Sequence, residues 1–500
     1  MNAHKLELQL GALLKRFNFE YIYANDFLRI VKPTSENLNK YEHYINSATP
    51  GRVFLVFVTL VPKIVFESFR AVVSSILKHK ESNLDNLTKQ ESSNSLFVSH
   101  YTGIPMAPRI DPYYGVIPAF LQDKGHRISI LYLNHTHTKS KIIKEQFGSM
   151  GLKSINAIPH SLPPVKQVQI VLQLFFQSLQ IALKAILTKE FSIEQRLLLL
   201  GASSYQMHRS TLSNIVFMVY FRERLRSERP ESVIITFEGH AFEVLASRII
   251  TRDFPNIELF LYQHAPVLPD QFGVLRTLSE LEPSVKILTT GETTRLFFMD
   301  HLRGKANLVT ILGTPKFQNA IEGKKLAGNS SKLKKTCLVA PEGTVAANTE
   351  LLELTLKVAR LVPSFKFIFR MHPALRLTLE HSHLLEIEPP TNFIVSQMSL
   401  ELDLATSDFC IYRSSAVSIE GLLFSVRPIH FNSHPEVCLD PIEHRTMEHK
   451  QFSHFQPLAD YLTDSNKPVF SDFEPTEDEM RETYFNYFSP FNLNTLESRF

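Results

Sequence analysis

The chain is poor in the features that would place it in several common classes. It has three cysteines in 500 residues, Cys337, Cys410 and Cys438, an odd number set far apart, which excludes a disulfide framework. Each lies in or beside an apolar run, where a thiol serves as a small hydrophobe. A reducing, cytoplasmic compartment is the expectation. Excess charge is also lacking. Lysine plus arginine number 53 against 50 aspartates and glutamates, a net +3. No nucleic-acid partner is expected, because such binding rests on neutralising many phosphates; a small phosphorylated ligand stays compatible. The most apolar run stops well before the roughly 20 residues needed to cross a bilayer. The strongest, VFLVFVTLVPKIVF from Val53, is broken by Pro62 and Lys63 and reads as buried core. The start, MNAHKLELQLGALLKRF, alternates charged and apolar residues and does not read as a secretory signal. A P-loop lysine motif and a Gly-x-Ser-x-Gly elbow are both missing, which argues against an NTPase or an ordinary serine hydrolase.

What is present is enough apolar sequence, 44%, for two or three ordinary domains. QVQIVLQLFFQSLQIALKAIL from Gln167 carries Gln169, Gln173, Gln177 and Gln180 at helical spacing, a polar stripe on an apolar helix that packs against other parts of the chain or a membrane or subunit surface. Two polar stretches punctuate the chain, KHKESNLDNLTKQESSNS at 78–95 and IEGKKLAGNSSKLKK at 321–335, the second read as an interdomain linker. Between and beyond them, short apolar runs alternate with helix-length segments. SLFVSHY, HRISILYLN, SVIITFEGH, IELFLYQHA, VKILTTGE and NLVTILGTP precede the linker, with a mostly helical stretch at about 161–229. TCLVAPEGT, FKFIFRMHP, TNFIVSQ, SDFCIYRSS and VRPIHFN follow it. Near-continuous apolar strands separated by helices predict parallel sheets covered on both faces. The expected fold is therefore α/β, with two doubly wound Rossmann-like domains facing a cleft: 95–320 with the helical insertion, and 336–440. Residues 1–94 form an extension of uncertain role, helical or α/β.

Nearly every run stops at a polar or glycine-containing turn, and in parallel sheets ligands bind beyond the carboxyl ends of strands. Arg413, Ser414 and Ser415 open the segment AVSIEGLLF, where helix-terminal N–H groups and two hydroxyls suit a phosphate, or one serine simply caps the helix. Arg370 and His372, two apart in an extended stretch before Pro373, project from one face and suit an oxyanion. Glu420 could accept from ribose hydroxyls, and Glu342 with Gly343 in APEGT forms a turn that either approaches a nucleotide or only complements a helix dipole. Glu238 and His240 in TFEGH are the candidate bases. Gln263 and His264 in YQHAPVLPDQFG read as an acceptor-side loop or a structural turn. The HTH at 135–137 and HSH at 381–383 lack partners at metal spacing and read as solvated histidines, and Glu401 with Asp403 is not assigned a metal.

His372-Pro373 followed by Ser414-Ser415 and Glu420 resembles the nucleotide-binding half of GT-B glycosyltransferases of bacterial surface carbohydrates, most of all sialyl and Kdo transferases that use CMP-activated sugars. That resemblance implies phosphate contacts from the histidine and paired hydroxyls, no metal or other cofactor, and an acid-acid-Gly motif supplying the base. Here Phe237 stands where the first acid is expected. It further implies an amino-terminal acceptor domain, a carboxy-terminal donor domain, and a segment 441–500 that packs back on the amino-terminal domain. The partners so implied are a nucleotide sugar and a glycan or lipid-linked glycan of O-antigen or capsule type, with peripheral contact at the inner face of the plasma membrane. Two other readings stay open: a nucleotide-sugar epimerase, and a non-catalytic nucleotide-binding subunit of a glycan-assembly complex.

Overall fold

The computed structural model describes residues 3–492 apart from 47, 78–92, 104–108, 137, 150–153, 283, 303–307, 328–334, 373–374, 376–388, 434–436, 443–446 and 464–474. The first sheet is built from β1 (Ser95–Tyr101), β2 (Ile128–Asn134), β3 (Ile155–Ala157), β4 (Ser232–Thr236), β5 (Glu258–Gln263), β6 (Lys286–Thr289) and β7 (Val309–Ile311). The second holds β8 (Thr336–Val339), β9 (Lys366–Phe369), β10 (Phe393–Val395), β11 (Phe409–Tyr412), β12 (Arg427–Phe431) and β13 (Lys450–Phe452). All pairs are parallel. The orders are β3-β2-β1-β4-β5-β6-β7 and β10-β9-β8-β11-β12-β13, so each sheet winds outward in both directions from its first strand. The central strands are buried along almost their whole length, as continuous apolar runs with helices on both faces require.

Helices Pro164–Leu187, Ile193–Tyr205 and Arg209–Glu228 fill the span between β3 and β4. The last carries Arg224 and Glu228 one turn apart, both inaccessible to solvent and ion-paired. Ser93 and Ser129 donate to the Glu228 carboxylate at 3.1 and 2.6 Å. This charged cluster sits at the amino-terminal end of β1 and β2, away from the edge where such sheets bind ligands, and holds the helix to the sheet.

Residues 3–77 are mostly helical where described, with 29–34 among the non-helical links, and share one hydrophobic core with the insertion helices and the first sheet. Helix Pro50–Leu77 overturns the expectation of buried core for the Val53 run. It continues through Pro62, and only one side of it is buried, with Val53, Leu60 and Ile64 facing inward while Phe54, Leu55, Val58 and Phe66 are exposed. Pro62 removes the hydrogen bond to the Val58 carbonyl on an exposed stretch, where water can replace it. In helix Pro164–Leu187, Gln177 is buried and accepts from Gln206 at 3.1 Å, whereas Gln169, Gln173 and Gln180 face outward among Leu172, Phe176 and Leu183.

Helix Pro315–Ala327 leads out of the first domain, so 321–327 of the expected linker are helical, and 328–334 lie outside the described residues. Helix Glu477–Tyr487 of the second half packs on helix Val417–Leu423 and on helix Glu292–His301 of the first domain. Beyond it Ser489 and Asn492 donate to the Thr290 and Leu312 carbonyls at 2.9 Å each. Leu268, Val437 and Leu439 form a small apolar contact across the domains.

Candidate active site at the facing strand ends

In a doubly wound sheet the crevice lies where connections leave adjacent strands toward opposite faces. Those points are β1/β4 in the first domain and β8/β11 in the second. The chain after β4 runs Phe237-Glu238-Gly239-His240 into helix Ala241–Asp253. Gly239 has φ +87°, and a Cβ there would stand 2.1 Å from the Gly273 carbonyl carbon, so only glycine fits. Phe237 is fully buried and stacks on Phe298, which makes that position core and leaves Glu238 as the carboxylate that reaches the cleft from the strand end. Glu243, buried in the first turn of the helix, accepts from the backbone N–H groups of Glu238, Gly239 and His240 at 3.0, 2.6 and 2.8 Å. Burial pushes its carboxyl up to about 7, against the pull of His240 and those N–H groups.

The Glu238 carboxylate lies 3.2 Å from His264 Nε2 and 3.5 Å from His240 Nε2. Burial acts to raise its pKa, but the Lys32 charge and hydrogen bonds from both imidazoles outweigh it and hold the carboxyl well below the usual range. His240 is shifted the other way. Burial opposes its protonation, yet bonding to Glu238 and the charge of Glu243 raise it above the ordinary imidazole value. His264 stands edge-on to Tyr113, and its Nδ1 is buried without a hydrogen-bond partner. Gln263 is fully buried and donates to the Ala265 carbonyl at 2.8 Å, which places it under the loop.

Two further histidines join this cluster. His100, near the end of β1, bonds Thr236 Oγ1 at 2.9 Å and His135 at 2.7 Å. Burial and the neighbouring imidazole of His135 hold His100 well below its ordinary value. His135, expected to be solvated, is exposed, and it also bonds His100 and lines a cavity of 680 Å³ with Asn134, His160, Arg70 and Arg209. His137 and the HSH segment lie outside the described residues. Among the described residues no group of three or more His, Cys, Asp or Glu is arranged to hold a metal ion.

In the second domain the turns after β9, β8 and β11 lie side by side. His372 packs over Gly343, where a Cβ would meet three ring atoms at 3.0 to 3.3 Å. Burial and then the Lys316 charge, with a smaller push from Lys32, lower the His372 pKa against the pull of Glu342. Arg413 is buried and gives its donors to Glu342 and, at 2.8 Å, to Glu350. Arg370 pairs with Asp403 at 2.7 Å and donates to the Met398 carbonyl at 2.8 Å. Both arginines, expected to face an anion, thus hold the turns together. Ser414 Oγ is buried without a partner, while Ser415 Oγ accepts from Val417 N–H at 3.5 Å. The helix that follows, Val417–Leu423, is only seven residues long, so its dipole adds little. Glu420 receives Lys316 Nζ at 2.7 Å.

The sequence reading overlooked Lys32, Lys316, His100 and Glu243. Lys32 matters most, since its charge acts on Glu238 and His240 in one domain and on His372 in the other. It is placed by Gly273, whose N–H donates to the Val31 carbonyl at 3.1 Å, and by Arg29, buried against Thr277 and Glu280. The capping-box spacing of His240 and Glu243 was the one local signal available for any of them.

No protein-family model matches the chain, and no curated protein matches it. Among solved structures, the UDP-GlcNAc 2-epimerase from Neisseria meningitidis bound to UDP-GlcNAc is similar over 82% of this chain and 100% of that one, at 12% identity and a TM-score of 0.46. The glycosyltransferase SnogD from Streptomyces nogalater is similar over 82% and 99%, at 14% identity and a TM-score of 0.42. The wall teichoic acid polymerase TagF is similar over 90% and 96%, at 11% identity and a TM-score of 0.40.

Proposed function

We propose that the chain is a glycosyltransferase of the GT-B type, moving a sugar from a nucleotide donor to a hydroxyl of a glycan or lipid-linked glycan. The observation that carries this reading is the pairing of two unlike half-sites across one lysine. An ionised carboxylate backed by two imidazoles, Glu238 with His240 and His264, stands at one switch point. An imidazole set among cations, His372 with Lys316 and Lys32, stands at the other.

Transfer requires removal of the acceptor proton and stabilisation of the departing phosphate. Glu238 takes the hydroxyl proton as the oxygen attacks the anomeric carbon, and the bond from that carbon to the phosphate oxygen breaks. With so low a pKa Glu238 alone is a weak base, and His264 at 3.2 Å is placed to share the proton. His372, Lys32, Lys316 and the Ser414 hydroxyl meet the charge that develops on the phosphate. Arg413, Glu342 and Arg370 fix the turns that carry these groups. A CMP-activated acidic sugar, such as sialic acid or Kdo, is the donor suggested by the motif resemblance.

The test is thermal stability with CMP, CDP, UDP, GDP and ADP at equal concentration, followed by product analysis with the matching nucleotide sugar. A nucleotide at about one hundred times its Kd should add about 2.7 kcal/mol of stability, and His372→Ala should abolish the gain. No shift with any nucleotide, or an undiminished shift in the variant, overturns the site. Isomerised sugar formed without an acceptor would replace transfer by epimerisation. Binding without turnover on any acceptor would leave a non-catalytic subunit.

A further inference from the structure

Helices Pro50–Leu77 and Pro164–Leu187 pack against each other and both lie on helix Ile193–Tyr205. Their outward sides therefore form one surface, about 40 Å long at 1.5 Å per residue. On the first helix Phe54, Phe66 and Phe69 are 69%, 62% and 68% exposed, with Leu55 and Val58 beside them. On the second, Leu172, Phe176, Leu183 and Leu187 are exposed. An exposed apolar face of this extent, interrupted on the second helix by Gln169, Gln173 and Gln180, marks an interaction site.

The charges bordering the face decide between occupants. The first helix carries Arg52, Lys63 and Arg70 against a single acid, Glu67, which is paired with Arg70 at 2.6 Å. The second carries Lys166 and Lys184 and no acid. Closing this face on a second copy of itself would set cations against cations. An anionic lipid leaflet complements both the phenylalanines and the basic border. The second helix is long and apolar enough to cross a membrane by length and composition, but 44% of its most apolar window is buried within the protein and its inner side belongs to the core, so it lies along the surface.

We infer that the paired helices Pro50–Leu77 and Pro164–Leu187 dock the protein on an anionic lipid bilayer. Arg70 and Glu67 also line the cavity that holds His135, so the docked face and that cavity share a wall, and His135 bonds His100 at 2.7 Å on its far side. A lipid-anchored acceptor would enter there; this step rests on the transferase reading, whereas docking itself does not.

The experiment is flotation of the full chain with vesicles of phosphatidylcholine, with and without about one-third phosphatidylglycerol, at low salt. The intact protein should float with the anionic vesicles roughly tenfold better than with the neutral ones. Phe54→Ser/Phe66→Ser/Phe69→Ser should lose flotation on both while its melting temperature is unchanged, because these side chains are already exposed. Lys63→Glu/Lys166→Glu should lose the preference for anionic vesicles. Flotation unaltered by the serine substitutions, or none by the intact protein, overturns the inference. A dimer that the triple variant dissociates, without vesicle binding, would assign the face to a second copy. The nucleotide-induced shift should survive in the triple variant. If it is absent from the intact protein as well, the transferase reading fails and the docking surface stands or falls on flotation alone.

Discussion

Glu243→Gln separates two forces acting on the carboxylate that holds the turn of Glu238. Three backbone N–H groups point at Glu243 Oε2 at 2.6 to 3.0 Å, and such bonds favour ionisation. Burial disfavours it and prevails, raising the carboxyl from 4.5 to about 7. A group protonated more readily in the folded chain contributes stability that is fully present below pH 4.5 and is lost as pH rises through about 7. The shift corresponds to about 3 kcal/mol at 1.36 kcal/mol per pH unit. Glutamine keeps one oxygen for the N–H groups and cannot ionise. The stability of the native protein minus that of the variant should therefore fall by about 3 kcal/mol between pH 4.5 and 8. Taking the difference is essential, because the lowered pKa of His100, His135 and His372 gives the native protein the opposite slope below the ordinary imidazole value. Urea midpoints at five or six pH values, with m unchanged, supply the measurement. A difference that instead grows with pH would mean the N–H bonds prevail and the carboxyl is depressed. Turnover should drop roughly tenfold in the variant above about pH 7, where Glu243 carries the charge that organises the Glu238 turn, and should change little below it.

Gly343→Ala adds a Cβ 3.0 to 3.3 Å from the His372 ring, in a backbone conformation alanine can adopt; it should weaken nucleotide binding roughly tenfold with the unliganded melting temperature unchanged, and intact affinity would remove His372 from the nucleotide site. Glu228→Gln leaves Arg224 charged in a solvent-free pocket and should cost about 3–5 kcal/mol in urea titration; a loss below about 1 kcal/mol would mean the pair carries no net stability.

Much of the architecture was legible because parallel strands buried on both faces are written as continuous apolar runs, and because such sheets gather polar residues at one end. Glu238, His264, Glu342, His372 and Ser414 each lie within three residues of a strand's carboxyl end. Their partners were not legible. Whether Arg413 faces a ligand or Glu350 depends on a helix residue 63 positions upstream, and Lys32 reaches the cleft only because residues 28–31 are pinned to helix Phe272–Glu280. The Val53 run failed differently: its apolar content was read as burial, but composition does not say which side of a helix finds a partner.

The placement of Lys32 suggests how the two half-sites depend on each other. Before a donor binds, it keeps Glu238 ionised and a poor base, and it helps keep His372 neutral. A donor phosphate seated between the domains would draw the Lys32 and Lys316 charges to itself. Relieved of Lys32, Glu238 gains basicity, and His372, now beside an anion, gains affinity for a proton. The base would thus strengthen when the donor is in place, and an empty site would hold a carboxylate too weak to activate stray water. The consequence is proton uptake on nucleotide binding near neutral pH, readable by calorimetry in buffers of different ionisation enthalpy. His372→Ala should reduce it and Lys32→Gln should lower it further; binding with no proton uptake would show that the cations around His372 do not respond to the donor.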